Sequence, residues 1–297
     1  MKKILFCLPL LLLALQSCEI EDEYMYDKGL YTIDWDAAAD SSSVTLIDRF
    51  WNTEENYFNY GNDGSIKDFH YWPQAHAMDV MIDAYNRTGD SKYSDLFDKW
   101  YVGIKAKNGG SYWNNFYDDM EWMALACLRV YELTGDQDYY SALMKMWDHI
   151  KGAKNDYKGV GGMAWKTDLP ASRMSCSNGP GCLLAMKLYQ LTVTEAKDGW
   201  EDKAAYYLNF AKEVYNWMTA YLCDTSTGQV YDNLGIRDDG TPGDPDKVAL
   251  SYNQGTFMAS ALALYNATGE EEYLRNAVAF GSYQVNKKMD SNYPVFS

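Results

Sequence analysis

The sequence predicts an all-α protein, a ring of helical hairpins with its long loops gathered at one end. Three observations predict it: a phrase that recurs along the chain, an alternation of short joints with long loops, and a sequence without period-two strand alternation. The phrase reads AYNRTGDSKY from Ala84, VYELTGDQDY from Val130 and LYNATGEEEY from Leu264, with a degraded copy, LYQLTVTEAKDGWEDKAAYY, from Leu188. In each copy glycine supplies the left-handed residue that ends one helix. The acid after it suits the N-terminus of the next helix. The tyrosine beyond starts the next buried stripe.

Taken in order, the apolar periodicity predicts helices over 44–57, 73–88, 91–106, 118–134, 137–151, 179–193, 200–222, 254–268 and 270–287. Between the hairpins lie loops rich in Gly, Asn, Asp and Trp, over 58–72, 107–117, 152–178 and 224–253. Loops held on a rigid scaffold are where binding and chemistry usually sit.

The N-terminus reads as a targeting segment. Met1-Lys2-Lys3 is a positive start, Ile4 to Leu15 an apolar run, and Leu15-Gln16-Ser17-Cys18 ends it with small residues before a cysteine. The expectation is a lipoprotein signal peptide over 1–17, acylation at Cys18, an acidic tether over 18–40 that begins Glu19, Glu21, Asp22, Glu23, and a catalytic-type domain over 41–297. That makes the protein an exported lipoprotein of the outer membrane, exposed at the surface and held to the membrane by its lipid anchor. Removing residues 1–17 takes away Lys2 and Lys3 and no acid, leaving 24 basic against 42 acidic side chains and a net charge of −18. Such a surface repels phosphate backbones, which excludes nucleic acid as a partner and disfavours anionic polysaccharides. A neutral glycan is compatible, and 26 Tyr and 10 Trp offer flat apolar faces with polar tips. Export permits disulfides: Cys176 and Cys182 flank a Gly-Pro turn and are placed to pair, whereas Cys127 reads as a buried thiol.

The sequence contains no GxGxxG, phosphate-loop, HExxH or GxSxG motif, so no cofactor or metal is expected. Of His70, His76 and His149, only His76 is well placed, and a structural role suits it best. Asp238, Asp239, Asp244 and Asp246 crowd a Gly/Pro loop without calcium-loop spacing, and read as a solvated loop. Asp118 and Asp119 remain, side by side where the apolar run of YWNNFYDDMEWMALACLRVYELTGD begins. Two readings are open. Paired acids are common in the first turn of a helix, where they complement its dipole. Equally, glycoside hydrolysis needs one carboxyl to protonate the leaving oxygen and another to attack or to activate water. A like-charged neighbour would raise one pKa, as a general acid requires.

That stretch, at 112–136, resembles the signature of glycoside hydrolase family 76, the endo-acting α-1,6-mannanases. YWPQAHAMDVMIDAYNRTGD at 71–90 is similar to the family's earlier helix. GGMAWK at 161–166 and SNGPGCLLAMKLYQLT at 177–192 resemble its middle segment, and YNQGTFMASALALYNATGE at 252–270 a late one. The resemblance implies an (α/α)6 barrel and a retaining mechanism, with Asp118 as nucleophile and Asp119 as general acid/base. It implies a groove lined by Trp72, Gln74, Trp113, Asn115, Tyr117, Trp165, Asn178, Asn253 and Gln254. There aromatics would stack on mannose faces and amides would bond hydroxyls. A twelve-helix ring against nine predicted helices leads us to expect a barrel incomplete at its C-terminal end. The competing functions are a non-catalytic glycan-binding lipoprotein on the same scaffold, and another α/α-barrel carbohydrate enzyme such as an unsaturated glucuronyl hydrolase. The latter handles an anionic sugar, and the groove loops show no convincing Arg/Lys cluster for it.

Overall fold

The computed structural model describes residues 32–63 and 68–288. The expected signal peptide, Cys18, the expected tether up to residue 31, residues 64–67 and the last nine residues lie outside the described residues. The chain divides into a short unit, 1–45, and a long one, 46–297. Helix α1 (Trp35–Phe50) runs across that boundary, so it starts nine residues before the expected helix and the tether is helical from Trp35. It stops at Phe50 because the next apolar residues form a strand pair, β1 (Trp51–Asn52) against β2 (Tyr57–Phe58). Asn52 Oδ1 accepts from the N–H groups of Glu54 and Glu55, turning the chain where a helix was expected.

The long unit is a succession of antiparallel hairpins. Helix α2 (Tyr71–Thr88) is followed by a broken partner, α3 (Ser91–Ser94) and α4 (Phe97–Lys107), in place of the single predicted helix. Then come α5 (Tyr117–Thr134) with α6 (Gln137–Ile150), α7 (Ser175–Glu195) with α8 (Trp200–Tyr221), and α9 (Ser251–Thr268) with α10 (Glu271–Tyr283). Helices α2, α5, α7 and α9 pack side by side in chain order. Their N-termini all receive long loops, as expected. Those loops carry the remaining strands: β3 (Ala164–Lys166), β4 (Leu169–Met174) and β7 (Asn233–Gly235) form one antiparallel sheet, and β5 (Cys223–Asp224) pairs with β6 (Gln229–Val230). Among the described residues no helix is long and apolar enough to cross a membrane.

The repeated phrase behaves as its chemistry predicts. Gly89, Gly135 and Gly269 are left-handed, with φ of 68°, 72° and 71°, and their N–H groups close on Tyr85, Tyr131 and Tyr265. The side chains of Asp90 and Asp136 accept the N–H of Lys92 and Asp138, each at 2.9 Å. The threonine adds a bridge: Thr88, Thr134 and Thr268 donate to the carbonyl four residues back and accept the N–H of the acid that follows the glycine. In the degraded copy Ala196 takes the left-handed position instead, at φ 45°.

Two expectations are corrected. Cys176 and Cys182 are both free thiols, as are Cys127 and Cys223. Helix α7 begins at Ser175, so the Gly-Pro lies inside it and the two cysteines are separated by about 9 Å of helical rise, beyond disulfide reach. Gln74, Asn178 and Gln254 do not face a groove. Each is the fourth residue of its helix, α2, α7 or α9, and each is buried. Gln74 accepts from Phe58 N–H and donates to Phe58 and His70 carbonyls. Asn178 does the same with Met163, and donates to Met174 as well. Gln254 accepts from Val230 N–H and donates to Gly228 and Phe280. Their amides therefore tie the long loops to the inner helices and leave nothing to offer a sugar hydroxyl.

Candidate active site

The remaining inner helix, α5, differs from the other three. Its fourth residue is the buried Met120, and its first turn carries Asp118 and Asp119. Neither aspartate caps the helix. The N-cap is Phe116, extended at φ −93° and ψ 127°, without a side-chain cap. Residues 115–116 are instead held by the β3 strand, through a bridge between Phe116 and Lys166. Thr167 N–H donates to the Asn115 carbonyl at 3.0 Å, and the Thr167 hydroxyl donates to Asn115 Oδ1. This lays Trp165 over the helix start, its ring edge-on to Phe116 with centroids 4.9 Å apart. Trp165 Nε1 donates to Asp118 Oδ2 at 3.3 Å.

Burial governs the charges here. It pushes Asp118 upward from the usual carboxylate range, opposed by the Cys176 thiol, the Trp165 indole and nearby backbone N–H groups. Asp119 is raised to about 7, first by burial and then by the charge of Asp118. One turn further in, Glu121 is fully buried and raised well above the carboxylate range, by burial first and then by both aspartates. The pair thus has unequal members. Asp118 has donors that favour its ionised form, and Asp119 is poised to carry a proton near neutrality.

Three groups on other elements complete the surroundings. Cys176, in the first turn of α7, is pushed upward by burial and then by Asp118, with smaller contributions from Glu121 and Asp232. Tyr252, the second residue of α9, is half exposed and raised to about 12 by burial, Cys176, Asp232 and Asp118. Asp232 is clamped between Asn253 Nδ2, at 3.0 Å, and Asn233 Nδ2, at 2.8 Å. These groups escape sequence reading because they come from separate loops and helices; only the adjacency of Tyr252 to Asn253 hints at one of them.

Of the residues expected in a groove, the structure brings Tyr117 and Trp165 together with the pair. Asn115 is occupied by Thr167, and Asn253 acts through Asp232. Trp72 lines a different cavity of about 330 Å³, with Phe58, Tyr60 and His76. Trp113 lines another of about 360 Å³, with Tyr101, Lys105, Lys145 and His149. Neither cavity is lined by Asp118 or Asp119. His76 stands between Trp72 and Trp122, with ring centroids 5.6 and 4.9 Å away. In the 238–246 loop, Arg237 pairs with Asp244 at 3.2 Å and Asp239 accepts from Thr241, as suits a solvated loop.

A family model described as glycosyl hydrolase family 76 matches residues 34–295. Mannan endo-1,6-alpha-mannosidase DCW1 of Eremothecium gossypii is 24% identical over 240 residues, covering 77% of this chain and 47% of that protein. The chain therefore spans about half the length of the curated relative it matches. Among solved structures, the GH76A α-1,6-mannanase from Salegentibacter sp. HEL1_6 is 37% identical with a TM-score of 0.76, covering 85% of this chain and 70% of that one. A variant of that enzyme, described as inactive, has two consecutive aspartates replaced by alanine and is in complex with α-1,6-mannotetrose. It is 35% identical with a TM-score of 0.79, covering 88% of this chain and 73% of that one.

Proposed function

This chain belongs to glycosyl hydrolase family 76, and from that premise we propose that it is a retaining endo-α-1,6-mannanase cutting internal bonds of a neutral mannan at the cell surface. The observation that carries this reading is the Asp118–Asp119 pair. It lies in an uncapped first turn, with one carboxylate held by an indole N–H and the other raised to about 7. The inactivated consecutive aspartates of the Salegentibacter enzyme support it. In the proposed reaction Asp119 donates its proton to the glycosidic oxygen while Asp118 attacks the anomeric carbon, giving a glycosyl ester and a shortened chain. Asp119, now ionised, takes a proton from water, which attacks the ester and restores both carboxyls.

The test is hydrolysis of linear α-1,6-mannan by the chain without residues 1–17, beside Asp118→Asn and Asp119→Asn. Oligosaccharide fragments from the parent and none from either variant, all three folded by circular dichroism, are expected. A folded parent that binds mannan and releases nothing would turn the reading to a non-catalytic glycan-binding protein. Cleavage of uronate oligosaccharides in place of mannan would turn it to another class of α/α-barrel enzyme. The lipid anchor is a separate part of the proposal, supported by the L-x-x-C ending. Fatty-acid labelling of the full chain, lost in Cys18→Ser, is its test.

A further inference from the structure

Buried polar atoms in folded proteins have partners, and each exception asks for a cause. Around the pair the exceptions among the described residues include Asp118 Oδ1, both carboxyl oxygens of Glu121, Ser177 Oγ and Asn253 Oδ1. The two carboxyls lie together. Glu121 follows Asp118 by three residues on α5, so the two side chains share one face of the helix. Across from it, a Cβ placed on Gly181 of α7 would come within 3.0 Å of Glu121 Oε1 and 2.5 Å of Met163 Cε. A side chain at Gly181 would collide with Met163 and press on the Glu121 carboxyl. Ser177 precedes Gly181 by one turn on that same face. The end of the Met163 side chain lies beside the same point, its backbone held by Asn178.

The titratable groups about Glu121 are Tyr117, Asp118 and Asp119 on its own helix and Cys176 on α7, and the two charges that act on it are both acidic. An ionised Glu121 there would be a buried anion facing other anions, the costliest arrangement a protein interior offers. A neutral Glu121 carries one O–H donor. Asp118 presents one carboxylate oxygen to Trp165 and turns the other, unpartnered, inward.

Resting on the reading of Asp118 as nucleophile, the geometry points to Glu121 as a positioning residue: its protonated carboxyl donates a hydrogen bond to Asp118 Oδ1. That one bond supplies a partner to Asp118 Oδ1 and to one oxygen of Glu121. With Trp165 on one oxygen and Glu121 on the other, the Asp118 carboxylate is held from both sides, which fixes its orientation and favours its charged form. A carboxyl that donates to a carboxylate makes a short, strong bond.

The experiment compares Glu121→Gln, which keeps a donor, with Glu121→Met, which keeps the length and loses it. Expected is a Gln variant whose kcat on α-1,6-mannan and pH profile stay close to the parent's. The Met variant is expected to lose roughly 10- to 100-fold in kcat, with KM little changed. Its acid limb should move to higher pH, because Asp118 has lost a bond that favours ionisation. A Met variant with the parent's kcat and acid limb would overturn the proposal. So would a Gln variant whose basic limb moves to lower pH, since that would mean Glu121 had been a charge beside Asp119. Infrared spectra at neutral pH read the proton directly, whether or not the Met variant folds. A protonated-carboxyl band should be lost in Glu121→Gln and shifted in Asp118→Asn, and spectra of parent and Gln variant that coincide would overturn the proposal. If the parent hydrolyses no mannan, the functional reading fails on activity alone while the infrared result still decides the state of Glu121.

Discussion

The inner helices begin in two different ways. In α2, α7 and α9 the fourth residue is a buried amide that ties loop backbone to the helix, with each polar atom of Gln74, Asn178 and Gln254 in use. In α5 the amide is replaced by Met120, and the first two turns hold three carboxyls, two of which have buried oxygens without a partner. The fourth position is thus a backbone tie three times and apolar once, and the helix where it is apolar is the one with unsatisfied carboxyl oxygens, at Asp118 and Glu121. That contrast separates scaffold from site: satisfied polar groups hold a fold, while raised carboxyls belong where chemistry is done.

The comparison predicts opposite responses to mutation. The largest effect is expected at α5, on activity. Asp119→Asn should lower kcat at least about 100-fold, as for loss of a general acid, yet leave the melting temperature unchanged or higher, because a buried acid without an ionic partner is removed. A variant that melts lower and keeps its rate would erase the distinction. At α9 the reverse is expected. Gln254→Ala strands the buried Val230 N–H and two carbonyls, and should cost about 2–4 kcal/mol in urea unfolding.

Next in size is Trp165→Phe. It removes the donor at 3.3 Å from Asp118 Oδ2, and should lower kcat about tenfold and move the acid limb to higher pH. Milder still is the pH dependence of stability. Asp119 has a folded pKa of about 7 against an ordinary 3.8, so the native state holds a proton that the unfolded chain releases. The stability this contributes is full below the ordinary value and is lost as pH rises through about 7. The parent should therefore lose stability relative to Asp119→Asn as pH rises across that window, and melting curves of both between the two values test it. The smallest change is expected at a joint far from the site: Asp136→Ala removes an N-cap bond and should cost about 1 kcal/mol with the rate unaltered.

How far the sequence could be read follows the same division. The joints were legible because each is local: Thr134-Gly135-Asp136 carries its own C-cap, bridge and N-cap within three residues. The starts of α7 and α9 were not, and the structure begins them at Ser175 and Ser251, several residues before the predicted starts. Their N-caps, Met174 and Leu250, make no side-chain bond, so the sequence carries no cap signal there. The first predicted helix holds over 44–50 and ends early for a different reason: Trp51 and Tyr57, read as its continuation, are drawn into a strand pair by the turn at Asn52.

By itself the sequence determined the class of fold, the hairpin repeat, the end of the array that bears the long loops and the acid pair, all of which depend on residues close in the chain. Only the tertiary structure decided which amides are scaffold and which cysteines lie out of reach of each other. It also decided that Glu121, an ordinary helix glutamate in the sequence, is buried beside Gly181 and Met163. The physical reason is that burial and partnership depend on residues far apart in the chain. A carboxyl's proton is set by what packs around it, and no local pattern of residue types records that.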